Sequence, residues 1–83
     1  MLEPLLLGLR LRRARQRRAL SQRALSKQIG CDQAHTSCIE RGEKVPSLAL
    51  LCHLARTLHV SPCALLQGMW EDTLAPEEVR HEP

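Results

Sequence analysis

Leu20-Ser21-Gln22-Arg23-Ala24-Leu25-Ser26-Lys27-Gln28-Ile29-Gly30 runs through Cys31-Asp32 into Gln33-Ala34-His35-Thr36-Ser37-Cys38-Ile39-Glu40-Arg41-Gly42. A serine oxygen at an N-cap accepts from the free amides of the first turn, and glycine takes the left-handed backbone that ends a helix. Ser21 and Gly30 therefore bracket a helix over about 22–29, with Leu25 and Ile29 as its apolar stripe. Asp32 is a second N-cap, and Gly42 a second stop, for a helix over about 33–41. Only three residues or so separate the two helices, so they form a tight pair.

The same punctuation divides the flanks. Pro4 suits a first turn, where its missing N–H costs nothing, and Leu7, Leu11 and Ala14 recur at helical spacing up to about Arg18. The stretch 42–46 reads as a loop. Ser47 caps a helix over about 48–58, whose Leu48, Leu51, Cys52, Ala55 and Leu58 are expected on one face. Ser61 and Pro62 open a last short helix, about 62–67, that faces inward through Leu65 and Leu66 and stops at Gly68. No internal repeat is present.

Composition agrees with five helices. The 83 residues include sixteen leucines but one aromatic side chain and four glycines, a usage suited to helix packing and not to a barrel or sandwich. The fold class is all-α, a compact five-helix domain over 1–68 followed by an acidic tail over 69–83, expected to be frayed. A chain this short has no room for a multidomain enzyme.

Charge is asymmetric. Residues 1–45 hold ten Lys/Arg against four Asp/Glu, and residues 46–83 hold two against five. The basic half is suited to a polyanion, although a solvated helix face or a membrane-surface helix has the same charge. Leu5, Leu6 and Leu7 form too short an apolar run for a secretory signal and have their positive charges on the wrong side of it. The expected location is cytoplasmic, with no membrane span. Cys31, Cys38, Cys52 and Cys63 match no disulfide or zinc spacing and are read as thiols.

In a helix-turn-helix unit the second helix can enter the major groove of DNA. Leu20-Ser21-Gln22, Leu25, Ile29-Gly30, Cys31-Asp32, Ile39-Glu40-Arg41-Gly42, Pro46-Ser47-Leu48, Leu54-Ala55 and Leu58-His59-Val60 resemble the lambda-repressor-like (Cro/Xre) helix-turn-helix domain. The likeness runs in register from about Leu7 to Gly68, some three quarters of the chain.

The resemblance implies that the helix over about 33–41 is the recognition helix. Gln33, Ala34, Ser37 and Cys38 on its outer face are the candidates for base contact. Gln33 leads them, since a glutamine amide can pair with adenine N6 and N7. Gln22, in the first turn of its helix, is assigned to a DNA phosphate, with His35, Arg41, Lys44 and Arg10 as further backbone contacts. His35 has a base edge as its alternative.

The resemblance pairs Arg15 with Glu40 as a structural ion pair, which the sequence by itself would not. Ala19 and His59 stand where the family often has glycine, so those turns avoid positive φ or accept strain. Thr36 fills a position that is usually aliphatic, and its hydroxyl is expected to bond the carbonyl four residues back.

Cys31, His35 and Cys38 have metal-like chemistry, joined by Cys52 and His53, but Cys31 and Cys52 are read as small core hydrophobes and no metal or cofactor is expected. A redox-sensing role for Cys38 or Cys63 is a minor alternative. No nucleophile with base and orienting group is present, so no enzyme is expected.

The expected function is a transcriptional regulator that binds double-stranded DNA as a homodimer on a palindromic operator, such as a small repressor or a restriction-modification controller. Leu50, Cys63, Met69 and Trp70 are the candidate dimer surface. The alternatives are an antitoxin, with a toxin as protein partner of the tail, and a scaffold that does not bind DNA.

Overall fold

The computed structural model describes residues 3–69, and the tail from Trp70 onward, which the sequence reading treats as a frayed acidic segment, lies outside them. Five helices follow in order: α1 (Pro4–Arg17), α2 (Gln22–Ile29), α3 (Gln33–Glu40), α4 (Leu48–Thr57) and α5 (Pro62–Leu66). None of them is long and apolar enough to cross a membrane.

The helix starts follow the caps. Ser21 accepts from Ala24 N at 2.9 Å, Ser47 from Leu50 N at 3.1 Å and Ser61 from Cys63 N at 3.1 Å. Asp32 is the N-cap of α3, as the sequence implies, but by position only. It occupies the N-cap position of α3 in extended backbone, but its side chain makes no capping bond, and the carbonyl of Asp32 alone opens the helix by accepting from His35 N and Thr36 N.

Four helices close with the same device, an amide bonded to the carbonyl five residues back across a left-handed residue. Leu20 N bonds Arg15 O over Ala19, Cys31 N bonds Ser26 O over Gly30, Glu43 N bonds Cys38 O over Gly42, and Val60 N bonds Ala55 O over His59. Ala19 at φ 57° and His59 at φ 59° thus accept the strain that glycine would avoid.

Leu7, Leu11, Leu25, Ile39, Leu51, Leu54, Leu58 and Leu65 form the centre of one core to which every helix contributes. Full burial of a leucine is worth about 1.5–3 kcal/mol, so the four most enclosed, Leu7, Leu11, Leu25 and Leu58, anchor the domain. Two expectations about α4 are corrected. Leu48 is 73% exposed and Cys52 is exposed, because the buried stripe runs through Leu51, Leu54, Ala55 and Leu58 and leaves those two on its flank. Cys31, by contrast, is half-buried against the core.

Thr36 is fully enclosed, and its hydroxyl meets Ser26 Oγ at 2.7 Å and Cys31 Sγ at 3.4 Å. This replaces the expected bond to its own helix carbonyl. It also ties α2 to α3 by a polar pair inside the core.

α1 crosses the end of α3 at Gly8. A Cβ built there would stand 2.4 Å from Glu40 O and 2.6 Å from Ile39 O, closer than any real contact. Glycine in mid-helix is unfavourable by about 1 kcal/mol against alanine, and the close crossing is what offsets that cost.

Candidate nucleic-acid interface

α3 presents a convex ridge to solvent. Ala34 and Cys38, one helical turn apart, form its crest, and each borders both of the shallow depressions that flank it. Small side chains on the crest let the helix backbone approach a surface closely.

The first depression, of about 400 Å³, has Gln22, Gln33, Ser37 and Arg41 on its wall. Gln22 comes from α2 and Gln33 from the start of α3, so the tight turn places the two amides on one wall. The second, also of about 400 Å³, is bordered by Cys31, Asp32, His35 and Lys44. Gln33 and Ala34 are exposed, and His35, Ser37 and Cys38 are half-exposed. The structure thus gathers the proposed base-reading and backbone residues, Arg10 excepted, around one ridge.

Behind the ridge, Arg15 fixes α3 to α1. Its Nε donates to Glu40 Oε2 at 2.6 Å and its Nη2 to Glu40 Oε1 at 3.0 Å, while Nη1 donates to Leu20 O at 2.8 Å. The pair is almost shut off from water, with side-chain exposures of 11% and 4%. Gln22 Nε2 adds a third hydrogen bond to Glu40 Oε1, at 3.0 Å. Glu40 therefore sets the position of α3 and also orients the Gln22 amide toward the ridge. Sequence reasoning missed this bond, and nothing in the local pattern signals it.

Arg41 is engaged by its own loop. Nε and Nη2 donate to Glu43 at 2.9 and 3.1 Å, Nη1 donates to Ser37 Oγ, and Nη2 stands 3.6 Å from Cys38 Sγ. Hydrogen bonds from Arg41, then one from Cys38, hold the Glu43 carboxyl below the usual carboxylate range. Both partners are more than half exposed, so water screens the pair and an anion from solution can compete with Glu43 for the guanidinium. Lys44 is exposed beside it.

Arg10 is a correction. Its Nη1 donates to Leu65 O at 3.0 Å and Gln67 O at 2.8 Å, closing the end of α5 on the side of α1 away from α3. Met69 is a second correction. It is 2% exposed and packs in the core, which removes it from the proposed dimer surface and extends the packed chain one residue past the expected boundary. Leu50 is half-buried against the core, Cys63 is exposed, and Trp70 lies outside the described residues. Among the described residues no three metal-ligating side chains converge.

A ridge helix held by a short turn on a second helix, inside a five-helix bundle of this topology, defines a DNA-binding module of the lambda-repressor-like class. A helix-turn-helix domain model matches residues 6–66, and the chain belongs to that family. The restriction-modification controller protein C.AhdI from Aeromonas hydrophila is similar, at 34% identity and TM-score 0.70, over 74% of this chain and 92% of that one. A hypothetical transcription factor, NHTF, from Neisseria aligns at 28% identity and TM-score 0.72, over 92% of this chain and 79% of that one. A chain of the SinR–SinI protein complex aligns at 27% identity and TM-score 0.71, over 87% of this chain and 71% of that one. A comparison with curated protein sequences gives no match.

Proposed function

We propose that this chain is a sequence-specific regulator of transcription that binds double-stranded DNA as a dimer, on a palindromic operator, from a cytoplasmic location. The observation that carries the reading is the ridge of α3, with a low Ala34–Cys38 crest and Gln33 and Gln22 together on one flank. A helix of this profile fits the major groove, with its N-terminal residues nearest the base edges. Gln33 reads a base, supported on the same face by Ala34, Ser37 and Cys38. Gln22, His35, Arg41 and Lys44 meet the phosphates. Two-fold operators call for a two-fold protein, and Leu50 and Cys63 remain the candidate contacts for the second copy. Similarity to a restriction-modification controller supports that kind of role. The antitoxin alternative depends on a tail that lies outside the described residues, and nothing among the described ones favours it.

The test is selection of bound sites from random duplex DNA, followed by affinities of the parent, Gln33→Ala and Gln22→Ala for every single-base variant of the selected site. Selection should return an inverted repeat. Gln33→Ala should lose about 1–3 kcal/mol at one base pair per half-site and flatten the preference there. Gln22→Ala should weaken all sequences about equally and barely change the salt slope, because the amide is uncharged. An unenriched pool would refute the reading. A uniform loss on Gln33→Ala would show that α3 is not read through its first turn.

A further inference from the structure

Successive residues of a helix are 100° apart, which separates the faces of α1. Gly8 and Arg15 look toward α3, and Leu7, Leu11 and Ala14 toward the core. Arg10, Arg13 and Arg17 fall roughly on the side opposite Gly8 and Arg15, where they line a groove of about 280 Å³ between α1 and α5 with Val60, Ala64 and Gln67.

Arg10 is committed to the α5 carbonyls. Arg13 and Arg17 are exposed, and α1 itself contains no acidic residue to set against its five arginines. Helix α3 packs on the opposite side of α1 from this groove. The guanidinium groups of the groove face a different anion.

We propose that the groove is the docking site of the chain's own acidic segment, residues 70–78. Three observations support it. Charge divides at this boundary: residues 3–69 hold eleven Lys/Arg against four Asp/Glu, and residues 70–83 hold one against five. The described chain passes the groove at Gln67, is held in the core by Met69, and continues into Glu71 and Asp72 two and three residues after that anchor. An extended residue spans about 3.3–3.6 Å, which gives those carboxylates roughly 7–11 Å of backbone from the Met69 anchor in which to meet the long Arg13 and Arg17 side chains. The wall is also part apolar, through Val60, Ala64 and Leu65, which suits the Trp70 and Leu74 that frame the first two acids.

A tethered carboxylate is present at a high effective concentration, so even weak contacts with two planar, bidentate guanidinium groups are populated. Docking is electrostatic and needs no DNA. It stands or falls independently of the operator-binding reading.

Trp70 is the only aromatic side chain of the protein, so its fluorescence reports this segment alone. The experiment follows the emission maximum and anisotropy of the full chain as salt rises from about 20 mM to about 1 M, where the screening length falls to about 3 Å. The parent should show a red shift and a loss of anisotropy. The Arg13→Glu/Arg17→Glu variant should already have the high-salt signal at low salt, and adding Glu71→Arg/Asp72→Arg should restore the parent's signal. Circular dichroism checks that each variant is folded, and Arg13→Gln/Arg17→Gln replaces the reversal if it is not. A parent that ignores salt, a variant with the parent's signal, or a charge swap that fails to restore it would overturn the proposal. So would a signal that depends on protein concentration, which would put the segment on a second copy.

Discussion

Arg15→Ala removes two charge-assisted hydrogen bonds to Glu40 and one to the Leu20 carbonyl, and leaves a carboxylate of 4% exposure with a single amide donor, Gln22 Nε2 at 3.0 Å. Removing one partner of a buried ion pair costs about 3–5 kcal/mol, because the other charge stays behind uncompensated. The remaining Gln22 bond places this case at the low end, about 3 kcal/mol. A chain of this size has only about 4–12 kcal/mol of stability in total. At roughly 4–8 °C per kcal/mol, the melting temperature should fall by about 12–24 °C. Thermal and urea unfolding by circular dichroism measure the loss, and Glu40→Gln completes a double-mutant cycle. The double variant should be more stable than the sum of the single losses implies by about 2 kcal/mol, since neutralising Glu40 removes the orphan charge. A melting temperature within about 3 °C of the parent, or an additive cycle, would refute the view that this pair locks α3 to α1.

Further substitutions probe the packing and the turns. Gly8→Ala puts a methyl 2.4 Å from the Glu40 carbonyl oxygen, and since the neighbour is backbone the helices must part; a loss of about 3 kcal/mol or more in urea unfolding is expected. Thr36→Val leaves the Ser26 hydroxyl inside the core with no partner from α3 and should cost about 1–3 kcal/mol, whereas Ser26→Ala/Thr36→Val should cost less than the two singles combined. Ala19→Gly and His59→Gly, at φ 57° and 59°, should each stabilise by about 0.5–1 kcal/mol, read as a higher melting temperature.

The helix boundaries were legible because nearly every one coincides with a chemical signal. Ser21, Ser47 and Ser61 cap, and Gly30 and Gly42 stop. What escaped are contacts between segments distant in sequence. The arginine at position 10 has the same local surroundings whether it meets a phosphate or the end of α5, and only the packing of α5 on α1 decides. Leu48 and Cys52 fall outside the buried stripe because helical spacing gives a stripe without its centre, and a rotation of a fraction of a turn moves two residues to the rim. Gly8 carries a signal in the sequence, since a glycine between Leu7 and Leu9 in an apolar helix points to a close neighbour. The Arg15–Glu40 pair was anticipated only through family likeness, since 25 residues separate its members.

The division of labour within α3 bears on how such a protein changes over generations. Its inward duties rest on Thr36, Ile39 and Glu40, three of eight positions. Gln33, Ala34, Ser37 and Cys38 contribute no core packing, so replacing them leaves the fold's small stability margin almost intact. New outward side chains can accumulate on the same scaffold without an intermediate that fails to fold. The outward face of α3 is therefore free to drift far faster than the architecture that presents it.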